Sequence, residues 1–323
     1  MRFPNRHLAA LALAAAPLAG FAQAPAWPAK PIRVIVPFAA GAATDTIARS
    51  VTERLSKQLG QPMIIENRPG AGGTIGGAAL AHAEPDGHTL MVHSNSHTVT
   101  PFTYRNLSYD PIRDVVGVIP LAGVPMVLVT SPAKGMRTLA DLVRAARAKP
   151  NSINYASAGT GGATHLGAER LRLSAGFTGT HIPFKGSGDA LTEVIAGRVD
   201  FYYSPIGLAQ PFLKADKLVA LAVSSTTRSV ALPDVPTTIE AGFPNTDYGV
   251  WIALFAPAKT PRAILGRLNE ESARALRGPE LREKYGALVM DNMIMSVDEF
   301  EAFLKRDFDI NAELVKAAGI QPN

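Results

Sequence analysis

Early in the chain the spacing of apolar residues changes once, which predicts a strand followed by a helix. A β-branched run from 32 to 36 is typical of a short buried strand, and it ends at Pro37. From about Thr44 onward, apolar side chains recur every three or four residues and charged side chains take the other face, as in an amphipathic helix. Only small residues, at 39–43, join the two elements.

The same alternation continues to the end of the chain and predicts an α/β fold. Short β-rich runs occur at 63–67, 89–93, 115–131, 153–155, 181–184, 199–203, 218–224 and 249–257. Helical patterns lie near 74–82, 139–146, 164–173, 191–195, 262–268 and 297–308. Thr138 and Ser296 are predicted to cap two of these helices. Because strands alternate with helices, we expect mainly parallel sheets with flanking helices.

Three of the predicted strand-to-helix turns are rich in glycine, serine and alanine. They lie at 39–43, 156–163 and 185–189. The first N–H groups of a helix have no intrahelical partner and carry partial positive charge, and small side chains let an anion approach them. In open α/β sheets such turns lie at the carboxyl ends of strands, where ligands bind. Any one such turn also fits an ordinary βα connection, but three together predict an anion site.

Dinucleotide binding and metal binding both fit the sequence poorly. The glycine-rich loop that starts at Gly70 has Ile75 where a dinucleotide-binding fingerprint requires its last glycine. His93 and His97 have a spacing that could hold zinc on a helix, but they flank a strand end and a polar turn and have no glutamate between them. We therefore expect two exposed loop histidines, no metal and no cofactor.

An exported serine hydrolase is a weaker alternative. Ser157 lies at a strand-to-helix turn, as the nucleophile of such enzymes does, but Tyr155 stands where their motif has glycine. His165, His181 and Asp189 are candidate partners, although a hydrolase would place the acid before the histidine. A binding protein that uses backbone N–H groups and hydroxyls requires none of these features, so we expect no enzyme.

The amino terminus, the charge and the length constrain the class of protein. Residues 1–24 have the pattern of a secretory signal peptide, with Arg2 and Arg6 before a short apolar core and a cleavage site near Ala24. The formal net charge of +5 falls to +3 without these arginines and no basic run remains, which argues against nucleic-acid binding. The chain has no cysteine, so its core alone must stabilise it. Its length, and a break in the β-rich passage near 123–125, predict two domains.

Eight short motifs are spread over the mature chain. They are KPIRVIVPF from Lys30, the turn at 41–45, ENRPGAGG from Glu66, PDGHTL from Pro85, YDP from Tyr109, NYASAG from Asn154, HIPFKG from His181 and LPDVPT from Leu232. In these motifs and their order the chain resembles the Bug family, the periplasmic solute receptors of tripartite tricarboxylate transporters. The resemblance implies a two-lobed periplasmic-binding-protein fold of type II, a Venus flytrap that closes by hinge motion.

The resemblance also implies a division of the chain and a function. Lobe one would comprise residues 26–124 and 245–323, lobe two residues 125–244, with crossings near 123–125 and 242–244. A monomer would capture a small carboxylate in the cleft and deliver it to the membrane components of the transporter in the periplasm. In a variant of this function, the loaded receptor docks on the periplasmic domain of a sensor.

Ligand contacts implied by the resemblance come from both lobes. In lobe one they are Phe38, Ala40, Gly41, Ala42, Ala43, Thr44, Asp45 and Ser94, and in lobe two they are Ser157, Gly159, Thr160, Gly161, Thr164, His165, Lys185, Tyr203 and Ser204. Backbone donors and a helix terminus can hold a carboxylate without a buried arginine. Asp45 is expected to serve the helix end, because its charge would repel an anion.

Five residues of lobe two keep alternative interpretations. Lys185 is either a counter-charge for the ligand or a structural lysine at a turn. His165 is expected to contribute to turn structure. Tyr202, Tyr203 and Ser204 either line the floor of the cleft or pack in the core.

The sequence departs from the family pattern at three positions. Ala42 and Ala43 stand where many members have glycine, so they are strained if their φ is positive and otherwise narrow the pocket. Ser204 stands where many members have an aspartate that could accept a hydrogen bond from a ligand amine. We therefore predict a plain carboxylate ligand and no amino acid.

Overall fold

The computed structural model describes residues 27–322, which form two β-sheets flanked by helices. The predicted signal peptide and its cleavage site near Ala24 lie outside the described residues. Among the described residues, no helix combines the length and the apolar character that a membrane span requires.

The elements alternate along the chain. The strands are β1 (Ile32–Val36), β2 (Met63–Asn67), β3 (Thr89–Ser94), β4 (Val115–Val124), β5 (Met126–Thr130), β6 (Asn154–Ser157), β7 (Thr180–Pro183), β8 (Phe201–Pro205), β9 (Val219–Val223), β10 (Val250–Pro257) and β11 (Asp291–Asn292). The α-helices are α1 (Ala43–Leu59), α2 (Thr74–Ala81), α3 (Ser96–Thr103), α4 (Leu139–Ala148), α5 (Ala163–Ala175), α6 (Ser187–Ile195), α7 (Ile206–Lys214), α8 (Arg262–Arg277), α9 (Pro279–Ala287) and α10 (Val297–Ala317).

The first sheet has the strand order β11-β4-β10-β3-β1-β2. β1 pairs in parallel with β2 and with β3, so Val34 lies between Ile65 and Leu90. β10 runs antiparallel to β3 and β4. The second sheet has the order β7-β6-β8-β5-β9, in which β6 is parallel to both neighbours and β5 is antiparallel to both of its own.

Both sheets are therefore mixed, and the expectation of parallel pairing holds only for β2-β1-β3 and β7-β6-β8. The antiparallel strands have a topological cause. β4 and β5 are separated by Pro125 alone, and Val124 at the end of β4 pairs with Val250 at the start of β10. β5 and β10 thus begin at the crossing between the sheets, whereas the parallel strands end at that edge.

Each sheet packs against apolar cores of its own, and a smaller apolar cluster connects helices of the two sheets. Side chains of β1, α1, α8 and β10 form the largest core, and Phe300 of α10 packs on the other face of the first sheet. The joining cluster includes Val99 of α3, Leu166 of α5 and Leu314 of α10. It packs one helix of the second sheet against two helices of the first, close to the start of α5.

Most elements predicted from the sequence are confirmed, including β2 at its predicted bounds and both predicted capping boxes, at Thr138 and Ser296. Helices α3, α7 and α9 were not predicted. Pro101 lies inside α3 and Pro211 lies inside α7. Because proline usually interrupts a helix, the sequence around each of them indicates a turn.

Candidate functional site

A buried carboxylate closes the turn between β1 and α1. Asp45 is 2% exposed, and its Oδ2 accepts hydrogen bonds from the Gly41 N–H and from Arg49 Nε, both at 2.9 Å. Asn67 Nδ2 donates to Asp45 Oδ1 at 2.9 Å and to the Phe38 carbonyl at 3.0 Å. Burial alone raises the pKa of Asp45, but these bonds outweigh it and hold that pKa at about 2. Asp45 therefore stabilises the turn that precedes α1, which fits the role predicted for it at the helix end.

Several backbone donors of this turn are left over for a ligand. The Gly41 N–H is taken by Asp45, and the Ala42 N–H donates to the Ala39 carbonyl at 3.2 Å. Within residues 27–322, no protein acceptor is found for the N–H groups of Ala43 and Thr44, the first two residues of α1. Their partial positive charge at the helix start makes the turn suited to a carboxylate.

The alanines at this turn are unstrained. Ala42 has a φ of −64° and Ala43 is the first residue of the helix, so neither adopts the left-handed conformation. Neither alanine therefore strains the backbone of the turn. The one residue of the turn with positive φ is Gly41, at 84°.

We expect Gly41→Ala to lower the free energy of unfolding by about 1 kcal/mol, because an L side chain is strained at this φ even though no atom crowds the Cβ position. Denaturant unfolding measures the change. Gly266→Ala in α8 is the matched control: its surroundings are equally open and its φ is not positive, so its stability should be unchanged or higher. Equal stability of Gly41→Ala and the native protein would contradict the strain.

Side chains at its own two ends hold the turn between β6 and α5. Three N–H groups of the turn have side-chain acceptors, which are Ser157 Oγ for Gly159 (3.2 Å), Thr164 Oγ1 for Ala158 (2.9 Å) and His165 Nδ1 for Gly161 (3.1 Å). For the N–H groups of Thr160, Ala163 and Thr164, no acceptor is found in the described part of the chain. This turn thus repeats the plan of the first, with some donors fixed by the protein and others free.

The strand directions bring both turns to the same crossing. β1 and β6 end at the edge of their sheet where the chain crosses between sheets, as β4 does on one side and β8 on the other. The turn before α5 also lies close to α3, a helix of the first sheet. Thr103 Cγ2 of α3 is 3.7 Å from the position that a Cβ atom would take at Gly161. Both turns therefore lie at the sheet edges that the chain connects.

The structure brings Ser157 and His181 together but builds no hydrolase site. Ser157 Oγ lies 2.7 Å from His181 Nε2, yet the serine is fully buried. Asp189 is exposed on α6, and no carboxylate among the described residues forms a hydrogen bond with His181. Burial lowers the pKa of His181, an effect that the charge of Glu169 opposes. The pair is a structural contact inside the turn.

His93 and His97 are buried, so the expectation of exposed loop histidines is wrong. His93 is 0% exposed, and its Nδ1 accepts a hydrogen bond from the Ser94 N–H at 2.8 Å. His97 is 1% exposed because α3 begins at Ser96 and turns this ring inward, 4.6 Å from the ring of Phe255. No group of three residues that could bind a metal occurs within residues 27–322.

The other predicted contacts separate into buried and exposed residues. Tyr203 is 1% exposed and packs in the core of the second sheet, which favours core packing over a place on the cleft floor. Ser204 is fully buried and donates to the Pro205 carbonyl at 3.1 Å. Ser94 is also buried, and its Oγ donates to Ser96 Oγ at 3.1 Å. Lys185 is exposed at the turn before α6, with no carboxylate within salt-bridge distance in the described chain.

The chain is similar to one protein family and to several solved structures. The family model described as a tripartite tricarboxylate transporter family receptor matches residues 47–320. Three solved structures cover nearly all of the chain and are themselves covered to 100%. The periplasmic binding protein BugD is 29% identical over 92% of this chain with a TM-score of 0.72. An R. palustris protein with adipate is 30% identical over 92% with a TM-score of 0.76, and MatC from Rhodopseudomonas palustris with bound malate is 32% identical over 90% with a TM-score of 0.71.

These structures each cover at least 90% of the chain, and they agree with the motifs that first indicated the family. The fold is that of a two-lobed α/β periplasmic binding protein with mixed sheets. This chain belongs to the tripartite tricarboxylate transporter family of receptors, the Bug solute-binding proteins, which are not enzymes.

Proposed function

We propose that this receptor captures a small carboxylate in the periplasm and delivers it to the membrane components of a tripartite tricarboxylate transporter. Residues 26–124 and 245–323 would form lobe one and residues 125–244 lobe two, closing about the crossings near 123–125 and 242–244. The observation that carries this proposal is the pair of turns, at 38–45 and 157–165, with unpaired N–H groups at the start of a helix.

The carboxylate would be held mainly by neutral donors. In lobe one these are the N–H groups of Ala43 and Thr44, and in lobe two the N–H groups of Thr160 and Thr164. Lys185 would add a cation from the exposed turn before α6. A site of this kind binds a carboxylate without a buried ion pair, and water can fill the remaining distance.

The ligand class we propose is a carboxylate without an amine. A bound ammonium group requires an acceptor, and the one acidic residue of the first turn, Asp45, is already engaged by three donors. Position 204 offers only a buried serine. The related proteins seen with adipate and with malate bind acids that lack an amine, which supports this class.

Thermal unfolding of residues 25–323 against a panel of acids tests the proposal. At a hundredfold excess over Kd, a ligand of the native state adds about 2.7 kcal/mol, which raises Tm by several degrees. We expect a rise with an acid such as adipate or malate and none with aspartate or glutamate. Binding of amino acids alone would contradict the ligand class. A flat panel that persists after unfolding, removal of bound ligand and refolding would contradict the receptor function for these acids.

A further inference from the structure

Two histidines lie against each other beneath the turn between β6 and α5. The rings of His165 and His181 are parallel within 8° and their centroids are 3.6 Å apart. Tyr155 stacks on the His181 ring at 5.4 Å, and His165 is only 4% exposed. The parallel register of β6 and β7 places Tyr155 directly beside His181, so the strand pairing fixes one ring and α5 brings the other.

Each ring holds one part of the turn by accepting a hydrogen bond, His165 directly from the backbone and His181 from Ser157. His165 Nδ1 accepts from the Gly161 N–H at 3.1 Å, so this nitrogen carries no proton. Ser157 Oγ accepts from the Gly159 N–H at 3.2 Å. His181 Nε2 lies 2.7 Å from this oxygen, and because no other acceptor for the serine proton is found among the described residues, we assign this nitrogen as the acceptor. Both acceptor roles require a neutral imidazole.

The surroundings keep both rings neutral. The charged groups that face them are Glu169 and Arg172 of α5, which pair with each other at 2.6 Å, and Glu169 also accepts from the hydroxyl of Tyr155. The carboxylate is therefore engaged elsewhere. Burial, and then the neighbouring ring of His181, lower the pKa of His165 to about 4, although Glu169 acts in the opposite direction. Two rings at this separation would also repel each other if both were charged.

On the side of the two rings the turn borders open space. The two rings line a cavity of about 370 Å³ together with Thr103, Thr160 and the segment 318–321. The turn also contains two glycines with positive φ, Gly159 and Gly161, a backbone conformation that L side chains rarely adopt. Because open space lies beside it, the turn depends on its hydrogen bonds for its shape.

We propose that His165 and His181 are positioning residues, whose neutral rings fix the Gly161 and Gly159 amides so that the free N–H groups of Thr160 and Thr164 point toward the ligand. This inference rests on the proposed function, since it assigns those N–H groups to a carboxylate. It assigns no ligand contact to either histidine. The two rings act through the backbone of the turn.

Matched substitutions separate hydrogen bonding from packing. His165→Asn keeps an acceptor near the place of Nδ1 and His181→Gln keeps one near the place of Nε2, whereas leucine at either position fills the space and accepts nothing. At pH 7.5 we expect the amide variants to bind malate or adipate within about threefold of the native protein. We expect each leucine variant to bind about tenfold more weakly, the cost of one positioning hydrogen bond.

The amide NMR signals of Gly159 and Gly161, recorded without ligand, give an independent readout. They should shift strongly in the leucine variants and little in the amide variants, while thermal unfolding confirms that all four are folded. Leucine variants with native affinity or native glycine signals would overturn the inference. If the native protein binds neither acid, the proposed function fails for these ligands, and the glycine signals alone still decide whether the histidines hold the turn.

Discussion

Replacing Asp45 by asparagine is expected to lower the free energy of unfolding at pH 7 by about 2.5 kcal/mol and to weaken carboxylate binding at least tenfold. Burial alone raises the pKa of this carboxyl, but the bonds from Arg49, Gly41 and Asn67 reverse the effect and bring the pKa to about 2, from 3.8. A lowering of this size corresponds to about 2.5 kcal/mol of stability. Asparagine keeps one acceptor oxygen and replaces the other by an N–H₂ group, which then faces either Asn67 Nδ2 or the Gly41 and Arg49 donors, so the turn that presents the free N–H groups cannot keep its shape.

The difference in free energy of unfolding between the native protein and Asp45→Asn should change with pH in a defined direction. Because the folded state lowers the pKa of Asp45, its stabilisation is present above about pH 3.8 and disappears as the pH falls to about 2. The native protein and Asp45→Asn should therefore converge in stability at the acidic end. Urea unfolding at a series of pH values measures both the difference and its disappearance.

Glu53→Gln provides the matched control. Glu53 lies on the same helix and pairs with Lys57 at 3.2 Å, but both side chains are about two-thirds exposed, at 65% and 66%. Exposed pairs of this kind contribute little, so we expect no measurable change. If Asp45→Asn were as stable as Glu53→Gln and bound ligand equally well, the buried carboxylate would not organise the turn.

The sequence predicts the part of the site that depends on local pattern. The β-branched run before Pro37 and the apolar spacing after Thr44 place the first turn correctly, because strand and helix periods are local properties. The role of Asp45 also follows from local physics, since a carboxylate at a helix start favours the dipole. Asn67, which completes its hydrogen bonds, comes from another strand, and only the pairing of β1 with β2 brings it there.

The burial of the histidines could not be predicted for the same reason. His93 and His97 lie among polar residues, a pattern typical of an exposed turn, but in the folded protein His93 lies beside the ring of Phe38 and His97 lies beside the rings of Phe255 and Phe308. His181 was one of several candidate partners for Ser157. The register of β6 and β7 selects it, and register between strands is not a local property. Tyr203 could face either the cleft or the core until the position of α5 was known.

The buried histidines give the second large expected effect, a loss of stability in mild acid. Burial lowers the pKa of His97 to about 4, and burial together with the His181 ring lowers that of His165 to about 4, from 6.5 for both. A group whose folded pKa is lowered stabilises the protein fully above the unfolded value and loses this contribution as the pH falls. Each of the two should therefore cost about 2 kcal/mol between pH 7.5 and pH 5, which is a large part of a typical folding free energy. His93, fully buried beside His97, acts in the same direction.

The slope of stability against pH isolates the contribution of one ring. His97→Gln removes the titrating group, so its loss of stability between pH 7.5 and pH 5 should be smaller than that of the native protein by about 2 kcal/mol, whatever its stability at pH 7.5. His82→Gln is the control, because it makes the same substitution at a ring that is exposed on the surface. Urea unfolding at each pH gives the slopes. Equal slopes for His97→Gln and the native protein would mean that His97 is as easily protonated in the folded state as in the unfolded state, and the acid sensitivity would then have to come from other groups.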